Sequence, residues 1–434
     1  MISRVLNAHF QRNTVAVPSD LEAITRRDPA ESGAYQSLVQ NIWSKVEDLY
    51  RVGYNPGIAL AIRHRGELVL HRTIGHARGN APGDIGPQVP LELDTPISLF
   101  SSSKAITALL VHMLAEEGHF AFDDPVCEFI PEFAAHGKHR TTIEQVLAHR
   151  AGIPRFPTEF GIEHAGDWDS VIDVLCRMPP VLKPGRSTAY HAVTGGFILG
   201  ELAQRVTGQS LPEILHSRLR QPLGMHHFTY GVEPSLNGSV ALNAFVGPPL
   251  PKLLGKMAEA ALGLPFEEAC EISNDPIFLN NVIPAGNLYA TAEEATRPFQ
   301  MLLDGGQWQG QRLMSEAAVR GLVAPFGKIR YDRLLRLPIR YSRGLILGHP
   351  VVSLYGTRNP LAFGHLGFLN ILCWADIERD ISVSLITTGK SAIGPHIAPL
   401  GRLLGAINTG FAPRPESGLP AWALSLPRGL AASV

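Results

Sequence analysis

The chain has 434 residues, of which 45% are hydrophobic and only 18% charged, against roughly 25% charged in an average globular chain. Its 38 basic and 39 acidic residues leave a formal net charge of −1, which argues against a dedicated nucleic-acid or acidic-membrane surface. The length suits two or three domains, or one large unit with two lobes and a sizeable core.

Cys127, Cys176, Cys270 and Cys373 lie far apart with no C-x-x-C pair, so their spacing offers neither a zinc site nor a redox motif. No metal and no cofactor are expected. No apolar run reaches the roughly 18 residues of a membrane span. The first twenty residues lack the apolar segment of a secretory signal. A cytoplasmic location is the expectation. The start, acid-poor up to Asp20 and carrying Arg4 and Arg12, keeps a transit peptide open. The low charge also fits an oligomer surface, so a homo-oligomer is open too.

Residues 1–35 read as an N-terminal extension. The stretch GIALAIRHRGELVLHRTIG (57–75) predicts a β-hairpin: Ile58, Leu60 and Ile62 alternate, Arg65-Gly66 turns, and ELVLH returns. GNAPGDIG (79–86) follows no strand-to-helix pattern for phosphate and reads as a surface loop. Ile106, Leu109, Leu110, Met113 and Leu114 predict a helix that Gly118 stops. Thr141-x-x-Glu144, Ser210-x-x-Glu213 and Thr291-x-x-Glu294 read as capping boxes, the last before a helix that Pro298 should kink. Residues 230–285 read as a cap or rim over a pocket, or as a surface excursion. LNILCWA (369–375) and ISVSLITT (381–388) predict a second hairpin. The proline-rich tail 411–434 should wrap the surface or be loose.

Strands, then helices, then strands predict an α+β fold: an antiparallel sheet lobe from both chain ends (about 36–100 and 286–410), flanked by helices, with an inserted helical lobe (about 101–285).

The segment LFSSSKAITALL (99–110) sets Ser101 and Lys104 three residues apart at a helix start. They share a face there. A serine hydroxyl is a weak nucleophile unless a base takes its proton, and a lysine is that base once burial lowers its pKa. The Ser101 N–H is also free for a developing oxyanion. Tyr190 follows the turn Pro184-Gly185 and precedes a helix. Near Lys104 it would share and relay a proton. His365-x-Gly367 sits at the start of a predicted strand, where Gly367 permits close approach and His365 lines the pocket. Each signal alone is ordinary: a capped helix, a core tyrosine, a strand-edge histidine.

In this order the three motifs resemble those of the class C β-lactamase and family VIII carboxylesterase group, related to penicillin-binding DD-peptidases. The resemblance runs over roughly residues 40–405. It includes TTIEQVLAHRAGIP (141–154), VTGQSLPEIL with PLGM (206–225), and IPAGNLYATAEE (283–294). It implies a β-lactamase/transpeptidase-like fold, an acyl-enzyme on Ser101, and an oxyanion hole from the N–H groups of Ser101 and Phe368. Two departures stand out. Ala192 in Tyr190-His191-Ala192 replaces the asparagine of Y-x-N. His365-Leu366-Gly367 replaces K-T-G, removing a permanent cation and a hydroxyl that would grip a β-lactam carboxylate.

Both changes favour neutral small-molecule esters, with His365, Leu366, Gly367 and His191 as substrate-binding positions. Four alternatives remain at this point. They are a β-lactamase or D-amino-acid peptidase, an acyltransferase, a Ser-His-Asp hydrolase, and a non-catalytic binding or scaffold relative. No G-x-S-x-G elbow supports the third.

Overall fold

The computed structural model describes residues 13–157, 160, 164 and 166–428. Its main sheet has eight strands: β1 (Thr25–Arg27), β2 (Gly57–His64), β3 (Glu67–Arg78), β4 (Val89–Pro90), β5 (Ile346–Leu347), β6 (Ala362–Gly367), β7 (Ile371–Asp376) and β8 (Ile381–Thr387). They are ordered β1-β3-β2-β8-β7-β6-β5, with β4 on β3. Every pair is antiparallel. The predicted hairpin 57–75 is β2–β3, and Arg65 and Gly66 have φ of 55° and 81°. Positive φ at both central residues marks a tight turn that matches strand twist. β8 lies on β2 from Ile381 opposite His64 to Thr387 opposite Ile58, so both chain ends meet at the middle of the sheet.

Alternation along the strands explains the layers. Ile58, Leu60 and Ile62 of β2 and Leu372 and Trp374 of β7 face one side. There they pack on Val39, Ile42 and Val46 of α1 (Gln36–Tyr50) and on Leu403 and Ile407 of a C-terminal helix, Ile397–Gly410. Ala59, Ala61, Cys373 and Ala375 face the other side. They join a second core with Ala295, Phe299 and Leu302 of the helix Ala292–Leu303. Side chains of period two thus supply both cores from one sheet.

The helical lobe is built around α2 (Ser103–Glu116), in which Ser103 through Leu114 are all buried. A helix buried all round belongs in a core. It packs on α3 (Thr194–Thr207). The capping boxes at Ser210 and Thr291 form, and Pro298 sits inside its helix without ending it. The one at Thr141 does not form. Its carbonyl takes the Val126 N–H at 2.9 Å, which leaves Thr141 one residue outside the turn. Thr142 caps the helix instead, accepting from the Gln145 N–H, and Glu144 pairs with Arg343 at 2.9 Å. The described part of the tail is anchored: Trp422, Ala423 and Leu426 are buried in the second core.

Candidate active site

The three serines at the start of α2 do three different things. Ser101 lines a cavity. Ser102 is buried and its hydroxyl donates to the His365 carbonyl at 3.1 Å. Ser103 is buried and joins the Phe100 carbonyl to the Leu288 N–H. The turn that presents Ser101 is therefore tied to β6 on one side and to residue 288 on the other. Phe100 just before it has φ of 45°, a left-handed conformation that a phenylalanine adopts only when its surroundings enforce it.

Lys104 Nζ lies 2.9 Å from Ser101 Oγ and donates to the Ala285 carbonyl at 2.9 Å. Burial holds its amine well below the usual lysine range. Tyr190 is also buried, with its hydroxyl hydrogen-bonded to Ser101 and its ring centroid 4.9 Å from Lys104 Nζ. Burial pushes the phenol up, and the charge of Asp332 adds to this. The two shifts point in opposite directions. The amine can be neutral and accept a proton while the phenol keeps one to give.

His365 lies beside Tyr190, ring centroids 6.0 Å apart. Its Nδ1 is 2.8 Å from the Leu366 carbonyl, so that nitrogen carries the hydrogen, and Nε2 is left as a buried acceptor without a partner. Burial and nearby Lys104 bring its pKa down to about 3, so the ring is neutral at pH 7. His365 and Gly367 sit in the last three residues of β6 rather than at a strand start. Gly367 is required by contact: a Cβ there would stand 2.2 Å from the Leu99 carbonyl oxygen. The chain then turns at Phe368 and Leu369, with φ of 35° and 74°.

His191 does not line the cavity next to Ser101. It is buried behind Lys104, where it lines a separate void of about 20 Å³ with His149 and Thr107. Its Nε2 accepts the Ile153 N–H at 3.2 Å and its own N–H donates to His149 Nδ1 at 3.2 Å. These bonds hold it inward, so it supports the site and is not placed to touch substrate. Leu366 and Ala192 do line the cavity.

Nothing in the sequence singled out Asp332. It is fully buried, and its Oδ1 accepts the N–H groups of Tyr190 (3.2 Å), Leu334 (2.9 Å) and Leu335 (2.9 Å). Its Oδ2 accepts the Tyr341 hydroxyl at 3.1 Å. This carboxylate fixes the backbone at Tyr190 from 142 residues away.

The cavity has a volume of about 450 Å³. Residues 230–285 supply much of its wall through Leu254, Leu262, Phe266 and Phe278. Among the described residues, the polar side chains lining it are Ser101, Tyr190 and His365, and no Asp, Glu, Lys or Arg lines it. No group of His, Cys, Asp and Glu among the described residues is suited to hold a metal. No helix among them is long and apolar enough to cross a membrane.

Comparison with known proteins places the fold. The esterase/beta-lactamase LipL of Mycobacterium tuberculosis is 28% identical over 346 residues, 76% of each chain. A penicillin-binding protein homolog from Caulobacter crescentus superposes with a TM-score of 0.76 and 27% identity, over 89% of this chain and 100% of that one. A family VIII carboxylesterase does so with a TM-score of 0.74 and 26% identity, over 88% and 99%. Residues 45–405 match the Beta-lactamase family as a whole, and with the fold of its penicillin-binding and esterase relatives the chain belongs to that family.

Proposed function

We propose that this protein is a serine carboxylesterase acting through an acyl-enzyme on Ser101. The observation that carries the reading is the 2.9 Å contact of Ser101 Oγ with a lysine that burial keeps from its usual charge. Neutral Lys104 takes the Ser101 proton as Oγ attacks the ester carbonyl. The N–H groups of Ser101 and Phe368 receive the oxyanion, at about 3–4 kcal/mol per donor in such sites. The Tyr190 phenol, hydrogen-bonded to Ser101, protonates the departing alkoxide, and the Lys104 ammonium restores that proton to Tyr190. Water then attacks the acyl-enzyme with Lys104 again as base, and Ser101 leaves with the proton. The unpartnered Nε2 of His365 is an acceptor for that water or for the leaving group.

Esters are favoured over β-lactams by the lining. A carboxylate entering the cavity finds no Lys or Arg among the side chains that line it and gives up its hydration. LipL has esterase and beta-lactamase in one name, and a family VIII carboxylesterase shares the fold, so both chemistries exist among similar proteins. The test compares p-nitrophenyl butyrate with a chromogenic cephalosporin on the wild type and on Ser101→Ala. Ester turnover is expected to vanish in the variant, as is fluorophosphonate labelling, with the cephalosporin turned over slowly or not at all. Faster cephalosporin than ester turnover would reverse the preference proposed here.

A further inference from the structure

The esterase reading leaves the ester itself open. Resting on that reading, we infer that the cavity beside Ser101 is an acyl subsite for a medium- to long-chain, uncharged fatty acyl group.

Its shape follows from two short helices. In α4 (Lys252–Leu262), Leu254, Ala258 and Leu262 recur every four residues on one stripe, and all three line the cavity. α5 (Phe266–Ile272) adds Phe266 and Ala269. Four rings then run from the nucleophile to this wall. Phe278 lies 5.7 Å from Phe100, Phe100 stacks on Phe368 at 4.9 Å and 15°, and Phe368 on Phe266 at 4.8 Å and 7°. Stacked rings in series present a continuous row of apolar edges, which suits a hydrocarbon chain.

The polar groups converge at one end, on Ser101, and the rest of the wall is hydrocarbon. A cavity of about 450 Å³ is large for an acetyl group and is within the range of drug-sized ligands. Leu254 and Leu369 line it and are 39% and 40% exposed, so its outer part meets solvent as hydrocarbon.

The tetrahedral centre assigns the chain to the acyl side. One substituent is Ser101 Oγ. The oxyanion points to the N–H groups of Ser101 and Phe368, and the leaving oxygen points to the Tyr190 hydroxyl. The fourth substituent is the acyl carbon chain. It takes the remaining direction, which we assign to the cavity lined by Phe100, Phe368 and Phe266.

Two ester series on the wild-type enzyme test this, each kept below its micelle concentration. One is p-nitrophenyl acetate to decanoate, and the other is methyl to octyl acetate. In the acyl series kcat/KM should rise about fourfold per added methylene until the cavity fills, the gain of burying one CH₂ group. The alkyl acetate series should stay nearly flat. Ala258→Phe and Ala269→Phe, which narrow the cavity, should cut the decanoate-to-butyrate ratio at least tenfold. A flat or falling acyl series, with acetate still hydrolysed in a Ser101-dependent way, overturns the acyl subsite and leaves the esterase standing. A rise along the alkyl acetates instead overturns the acyl assignment. No turnover of any ester overturns both.

Discussion

Lys104 and Lys138 are both buried, both sit over an aromatic ring, and burial lowers the pKa of both amines. They differ in their partners. Lys138 Nζ donates to two backbone carbonyls, those of Cys176 (3.0 Å) and Met178. A carbonyl only accepts, so both contacts call for an N–H donor and favour the ammonium. Lys104 has one carbonyl and one hydroxyl, Ser101. A hydroxyl also donates, so the neutral amine loses nothing there. Burial alone does not make a lysine a base; a partner that can reverse the hydrogen bond does.

The largest effect should separate the two residues outright. Lys104→Ala is expected to lower kcat/KM for p-nitrophenyl butyrate by about 10³-fold, within the range for a lost general base. Lys138→Met should leave turnover per folded molecule unchanged. Near-wild-type turnover in Lys104→Ala would remove the residue from its role.

Next comes the acid partner. Tyr190→Phe should cost about a hundredfold on an alkyl ester, whose alkoxide needs a proton to leave. The loss on a p-nitrophenyl ester should be much smaller, because p-nitrophenolate leaves unaided. Equal losses on both would mean that Tyr190 positions Lys104 and donates nothing.

The smallest effects are in stability. The folded pKa of Lys104 lies below its unfolded value of 10.5. Between the two, the unfolded chain binds a proton that the folded chain does not, so stability rises with pH there. The burial cost is full below the folded pKa and gone above 10.5. Lys104→Met removes that cost but also strips the buried Ala285 carbonyl of its donor, so its Tm relative to the wild type should be higher by a few degrees at pH 7 than above pH 10.5. Lys138→Met should lower Tm, since two buried carbonyls lose their donor at about 1–3 kcal/mol each. Differential scanning calorimetry across pH 6–11 reads both.

Much of this site was legible because its signals are local. Ser101 and Lys104 need only one helical turn to meet, and the β2–β3 hairpin needs only alternation and a turn. The Gly367 requirement was visible as a glycine, although its partner, the Leu99 carbonyl, was not. What stayed hidden depends on contacts between distant segments. Asp332 is one aspartate in an unremarked run, IRYDRLL, until the fold brings it under Tyr190. Thr141 lost its cap to a pairing with Val126. His191 adjoins Tyr190 in sequence, yet its bonds to Ile153 and His149 hold it in a different cavity. The wall from α4 and α5 read ambiguously because an apolar stripe on a short helix does not say what it covers.

The meeting of the two chain ends at the middle of the sheet also governs how this protein is made. The N–H of Gly57 is held by the hydroxyl of Thr388, 331 residues later. On a ribosome, β2 therefore emerges long before its neighbour exists. The two strands can pair only after the chain has been made as far as Thr388, and contacts this remote in sequence make folding slow. During that interval the apolar edge of the β2–β3 hairpin stays uncovered. How long that edge stays uncovered is set by translation speed rather than by final stability.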